Sequence, residues 1–166
     1  MRYVGRRNVV ELQSRGVNSV MNLLEILMPY QEFEIIPNDK PIRSSKEGAA
    51  YFQIEIGQTA PTLILRGDNK YFAAIVSGGR KGLNMEEIAQ LLGCQKVKLA
   101  DPKQVKEITG YRVGTIPMVG LSLPYILDKQ LLGYDFVYGG TGESDKTLKI
   151  APVVLEMVNQ VIAKFD

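Results

Sequence analysis

Residues 62–77 run Thr62-Leu63-Ile64-Leu65-Arg66-Gly67-Asp68-Asn69-Lys70-Tyr71-Phe72-Ala73-Ala74-Ile75-Val76-Ser77. Two apolar runs, 62–66 and 71–77, flank Gly67-Asp68-Asn69-Lys70, where glycine and the Asp-Asn pair tolerate the positive φ that a tight turn needs. The spacing predicts two consecutive antiparallel strands. A doubly wound parallel sheet would need a long crossover between such neighbours. The expected fold class is therefore α/β, a single domain with a mixed, partly antiparallel sheet.

Outward from that hairpin the chain is well punctuated. Ser77-Gly78-Gly79-Arg80-Lys81-Gly82 leads into a helix over about 85–92, capped by Asn84 and stopped by Gly93. Residues 96–99 alternate charge and aliphatic, as a half-buried strand does. Asp101-Pro102 is an N-cap followed by proline at the first helical position, so a helix covers about 102–108 and ends at Gly110. Upstream, Asn18 caps a helix to about Met28, residues 33–36 read as a strand, and Ser44 with Glu47 forms a capping box for a helix over 45–53. Downstream, 111–124 reads as irregular with one short strand. Strands are expected at 125–127, 135–138 and 147–150, and an amphipathic helix from Pro152 to about Phe165.

The 166 residues suit one ordinary domain, and such a chain buries about 70% of its unfolded surface without staples. With 45% hydrophobic and 23% charged residues it is neither disordered nor fibrous. Histidine is absent altogether, which excludes Ser-His-Asp and Cys-His pairs, imidazole bases and His-containing zinc sites within the chain. Cys94 is the single cysteine, so no intrachain disulfide can form. No paired-carboxylate motif suggests a metal hydrolase, and neither a metal nor a cofactor is expected. The net charge is +2, with Arg2, Arg6, Arg7 and Arg15 against Glu11 giving residues 1–16 a local +3 and the remainder −1. Residues 1–16 are read as a basic N-terminal segment, either solvated or touching phosphates. No apolar run is long enough to span a membrane and no secretory leader is visible, so a cytoplasmic protein without a membrane partner is expected.

Two glycine-rich loops invite a chemical reading. Ser77–Gly82 sits between a strand and a helix, where amides can hold a phosphate, although neither GxxxxGK[ST] nor GxGxxG is present. Gly139-Gly140-Thr141-Gly142-Glu143-Ser144-Asp145-Lys146 could form a nest of amides beside two hydroxyls. Each is equally an ordinary turn. Taken alone, these features stop at an α/β domain with two suggestive loops.

Several segments, in order, resemble a known family. Asp101-Pro102 followed by Thr109-Gly110-Tyr111-Arg112-Val113-Gly114-Thr115-Ile116-Pro117 is similar to the "ADP…TGY-x-VGG-I-x-P" block of the YbaK/EbsC family, the prolyl-tRNA-synthetase-associated editing domains. Thr62-Leu63-Ile64-Leu65 resembles that family's "KTL" strand, and residues 83–93 its "LDLKKLAKLLG" helix. Phe136-Val137-Tyr138-Gly139-Gly140 and Ile150-Ala151-Pro152 resemble its "YVSGG…EIAP" ending, with a longer intervening loop. The resemblance covers residues 17–166, read as one YbaK-like editing domain. It implies a barrel-like mixed sheet of six or seven strands wrapped by helices, and trans-editing hydrolysis of the ester of misacylated aminoacyl-tRNA. The implied partner is the tRNA acceptor end. The backbone of Gly114 would help hold the scissile carbonyl, with Thr62 assigned beside it. Gly110, Thr115, Gly139, Gly140 and Thr141 would bind substrate. An aminoacyl ester is already activated, so positioning and oxyanion stabilisation can replace the missing imidazole. The family's functional lysine precedes "TL", and here that position is Pro61, which carries neither charge nor donor. Lys70, Arg66, Arg80 and Lys81 are the cations considered as substitutes. The alternative is a homologue that binds aminoacyl-tRNA or a related small ligand without turnover.

Overall fold

The computed structural model describes residues 3–4 and 19–166. The Asn18 cap and most of the basic segment 1–16 lie outside them. The elements are β1 (Tyr3–Val4), α1 (Ser19–Leu27), β2 (Phe33–Pro37), α2 (Ser45–Phe52), β3 (Thr62–Gly67), β4 (Lys70–Ile75), α3 (Met85–Leu92), β5 (Val97–Leu99), α4 (Pro102–Thr109), β6 (Tyr125–Asp128), β7 (Val137–Gly140), β8 (Lys146–Ile150), α5 (Pro152–Val158) and β9 (Val161–Phe165). Short 3-10 turns cover Ile56–Gln58 and Lys129–Gly133.

The hairpin forms as its sequence dictates. β3 and β4 pair antiparallel from Thr62↔Ile75 to Gly67↔Lys70, and Asp68 takes φ 56 in the turn. The Asp68 carboxylate accepts from the N–H of Gln95, which ties the turn to the entry of β5. These strands lie at the heart of a five-stranded sheet ordered β5-β3-β4-β6-β9, antiparallel on the β5 side and parallel from β4 to β9. A four-stranded antiparallel sheet is ordered β1-β2-β8-β7.

Strand alternation divides the core. Ile64, Ala73, Ile75 and Leu127 join Leu24 and Leu27 of α1, Ile35 of β2 and Leu148 of β8 in a cluster shared by both sheets. Leu65, Phe72, Ala74 and Ile126 point the other way, onto Ile88 and Ala89 of α3. Local signals set the helix ends. Asn84 and Asp101 accept from the N–H groups of Glu87 and Gln104, and Gly93 and Gly110 close α3 and α4 with φ of 70° and 81°. Ser44 accepts from Glu47 N–H, while the Glu47 carboxylate reaches the N–H of Arg43 instead of returning to Ser44.

Three expectations need correction. The barrel-like sheet is two sheets with no closed barrel. They meet at an isolated parallel bridge, Thr59↔Tyr138, beside the hydrogen bond from Ala60 N–H to Tyr138 O (2.7 Å). The segment 111–124 contains no strand: Gly114 and Gly120 adopt positive φ, and the Met118 N–H leaves the segment for Gly140 O. The helix expected to reach Phe165 stops at Val158, and Val161–Phe165 pairs parallel with β6. Its period of two, with β-branched Val161 and Ile162, suits the open edge of β6 better than a helix.

Candidate functional site

The two sheets meet beside a cavity of about 150 Å³. Four backbone segments converge there. The antiparallel pairing of β2 with β8 places Pro37 opposite Lys146, so the chain leaving β2 toward Arg43 and the chain entering β8 share one wall. β7 contributes Tyr138, Gly139 and Gly140, and the Ala60–Tyr138 bond brings Thr59, Ala60 and Pro61 alongside. The start of α2 covers one end with Ser44, Ser45 and Gly48, and Phe52 from that helix packs on Tyr138 with ring centroids 5.0 Å apart. The irregular segment supplies Gly114 and Thr115.

Gly114 is the third residue of a β-turn closed by Thr115 N–H to Arg112 O (3.0 Å), and its φ of 92° fits the type II position reserved for glycine. Among the described residues nothing accepts from the Gly114 N–H, and the residue is exposed at the cavity rim. A donor in that state can turn toward a developing oxyanion. Gly139 and Gly140 are required for a different reason, close approach. A Cβ on Gly139 would press against the Ala60 carbonyl oxygen at 2.7 Å, and one on Gly140 would collide with the Ile116 carbonyl.

Of the residues expected at the site, Gly114, Thr115, Gly139 and Gly140 line this cavity together, whereas Thr62, Gly110 and Thr141 do not. Thr62 is buried in β3, with no hydrogen-bond partner for Oγ1 among the described residues. Gly110 is the exposed cap of α4, where its carbonyl accepts from the Lys106 ammonium. The Thr141 hydroxyl is fully buried, shares its one proton between the carbonyls of Glu143 and Lys146 and accepts from the Glu143 N–H, so it shapes its loop and offers nothing to a ligand. The amides of Gly78, Gly79 and Arg80 are likewise spent inside their loop and on Thr59 O. The loop is thus the ordinary strand-to-helix turn, and these amides are not free for a phosphate.

The cations also differ from expectation. Arg66 and Lys70 belong to the hairpin, and the partly exposed Arg80 makes a two-point ion pair with the buried Asp128, at 2.5 and 2.9 Å. None of these, nor Lys81, lines the cavity; Arg43 and Lys146 do. The Arg43 guanidinium has no ion pair among the described residues. Lys146 Nζ lies 3.4 Å from both the Glu143 and the Asp145 carboxylates. Burial opposes its charge, but the two carboxylates outweigh that and hold its pKa above the ordinary lysine value. It is an ammonium throughout the neutral range. The sequence signal for this pair was weak, because Arg43 and Lys146 lie far apart in the chain and only the β2–β8 register brings them together.

Among the described residues no group of three metal-ligating side chains occurs, and no helix is long and apolar enough to cross a membrane.

Comparison with known proteins agrees with this architecture. Residues 39–157 match the family described as "Aminoacyl-tRNA editing domain". A proline–tRNA ligase of Thermosipho melanesiensis is 30% identical over 125 residues, 68% of this chain and 22% of the ligase. That of Solidesulfovibrio magneticus is 35% identical over 107 residues, 63% of this chain and 18% of the ligase. The chain thus spans about a fifth of these relatives. A crystal structure described as a candidate trans-editing enzyme for prolyl tRNA synthetase superposes with a TM-score of 0.76 at 25% identity, covering 89% of this chain and 95% of that one. Another, of a protein described as hypothetical, gives 0.79 at 27% identity, covering 86% and 97%. The family match, the shared fold and the ordered motifs agree: the chain belongs to the aminoacyl-tRNA editing domain family, the YbaK-like group.

Proposed function

We propose that this chain hydrolyses the ester of a misacylated tRNA, acting in trans on the acceptor end held in the Gly114 cavity. The observation that carries the reading is the convergence, on one small cavity, of an unengaged backbone N–H at Gly114 and two cations, Arg43 and Lys146, from the wall that β2 and β8 share. Gly114 donates to the carbonyl oxygen as negative charge develops on it during attack by water. Arg43, which has no ion pair among the described residues, offsets the charge of the terminal nucleotide's phosphate, and Lys146 donates beside it from its pairing with Glu143 and Asp145. Phe52 and Tyr138 offer an aromatic wall for its base. No imidazole is needed, since an aminoacyl ester has a good leaving group and gains most from positioning and oxyanion stabilisation.

A second reading is favoured by Pro61, which lines the cavity where the family's lysine would stand. On that reading the chain binds aminoacyl-tRNA, or a related small ligand, without turnover. A panel of Cys-, Ala- and Ser-tRNA(Pro), assayed with the native chain beside a Pro61→Lys variant, separates the two. Loss of label with the native chain supports hydrolysis with Arg43 and Lys146 as the working cations. Silence from the native chain with turnover by Pro61→Lys supports the binder. Silence from both, with the variant folded, overturns hydrolysis, and failure of the native chain to bind the same aminoacyl-tRNAs in a titration overturns the second reading.

A further inference from the structure

The loop 77–82 borders a second cavity, of about 250 Å³, that shares Ser45 and Pro61 with the first. Its walls are largely aliphatic, from Leu63, Leu83, Met85 and Leu99, and Lys81 stands on its rim. Neither cavity reaches the ~300–1,000 Å³ of a complete ligand pocket. Two adjoining partial sites of this size suit consecutive units of one extended ligand.

We propose that this second cavity receives the nucleotide preceding the terminal one, so that the chain grips two consecutive nucleotides of a single-stranded RNA 3′ end. The proposal rests on the editing reading for the identity of the ligand. Two observations carry it further. The first is continuity. Pro61 and Ser45 line both cavities, so the two adjoin, and a strand whose terminal nucleoside occupies the first has its preceding unit beside the second. The second is charge. Arg80 is neutralised by Asp128, while Lys81 is exposed and has no ion pair among the described residues, which leaves one ammonium free for a phosphate at that rim. The amides of Gly78, Gly79 and Arg80 are engaged, so the positive end of this subsite is the Lys81 side chain and not a backbone nest. The aliphatic walls offer a face to the base with few polar atoms to read its edge. The subsite therefore adds affinity with little sequence preference.

The test is calorimetric titration of the full chain with pCpA and with pA, which lacks the preceding nucleotide. The expected result is at least tenfold tighter binding of pCpA. That advantage should fall severalfold in Lys81→Glu and in Leu99→Asp, two exposed positions whose replacement leaves the core untouched. In Lys81→Ala the slope of log K for pCpA against log salt should fall by about 0.7. Equal affinity for pCpA and pA, or an advantage undiminished in both variants, overturns the proposal. Misacylated-tRNA turnover distinguishes its failure from that of the editing reading. Turnover without a pCpA advantage removes the second subsite alone, and a pCpA advantage without turnover leaves it standing while hydrolysis fails.

Discussion

At the scale of single residues, the chain places charge where local sequence could not announce it. Caps such as Ser44, Asn84 and Asp101 were legible because each acts on an N–H three residues away. Arg43 and Lys146 were not, since nothing local joins a loop after β2 to the first residue of β8. Replacing Lys146 by methionine should lower kcat/KM for a misacylated tRNA about tenfold or more and flatten its salt dependence. The melting temperature should change little, because its half-exposed ion pairs are worth about 1 kcal/mol at most. Arg80 and Asp128 behave oppositely: their loss should lower stability and leave the chemistry of the cavity untouched. Asp128 is fully buried. Burial opposes its ionisation, but the Arg80 guanidinium and the N–H groups of Ser77 and Gln130 outweigh that and hold its pKa below the ordinary carboxylate value. A carboxyl with a depressed native pKa stabilises the fold above its unfolded pKa, about 3.9, and that contribution is lost as pH falls through the native value. Asp128→Ala should therefore cost about 3–5 kcal/mol at neutral pH. In urea unfolding the gap between native and variant should narrow only below about pH 4.

At the scale of elements, what was legible had strong punctuation. The hairpin of β3 and β4, and the helices α3 and α4, fall within a residue or two of their signals, because glycine, proline and capping side chains act over one turn. The C-terminal stretch was misjudged for a physical reason. Pro152 starts a helix whose apolar spacing continues in register beyond Val158, while the rival pattern, alternation over Val161–Phe165, pays off only once β6 offers an open edge. Phe165 then becomes a structural residue. It is 6% exposed, packs beneath α3 and lies under the Arg80 guanidinium at 5.2 Å. Phe165→Ala should cost about 3 kcal/mol or more by thermal or urea unfolding, whereas a residue on the tail of a frayed helix would cost almost nothing.

At the scale of the whole molecule, the site exists because two sheets meet without closing. The shared core, the one isolated bridge among the described residues, Thr59↔Tyr138, and the packing of Gly139 and Gly140 against Ala60 and Ile116 hold them together and leave the cavity open beside the seam. The sequence carried the family resemblance and four residues of that lining. Gly114, Thr115, Gly139 and Gly140 were readable from ordered motifs, while the α2 end, the Arg43–Lys146 pair and the second cavity depend on inter-sheet geometry that no local pattern encodes. The same geometry makes one measurement the most direct. Deacylation of Cys-, Ala- and Ser-tRNA(Pro) should be followed for the native chain and for Gly114→Pro. That substitution deletes the N–H and cannot take a φ of 92°, at an exposed turn where an added Cβ meets no neighbour. The native chain should release at least one amino acid, and Gly114→Pro should lose at least a hundredfold in rate with the folded spectrum retained. Equal rates for the two proteins would contradict hydrolysis through Gly114.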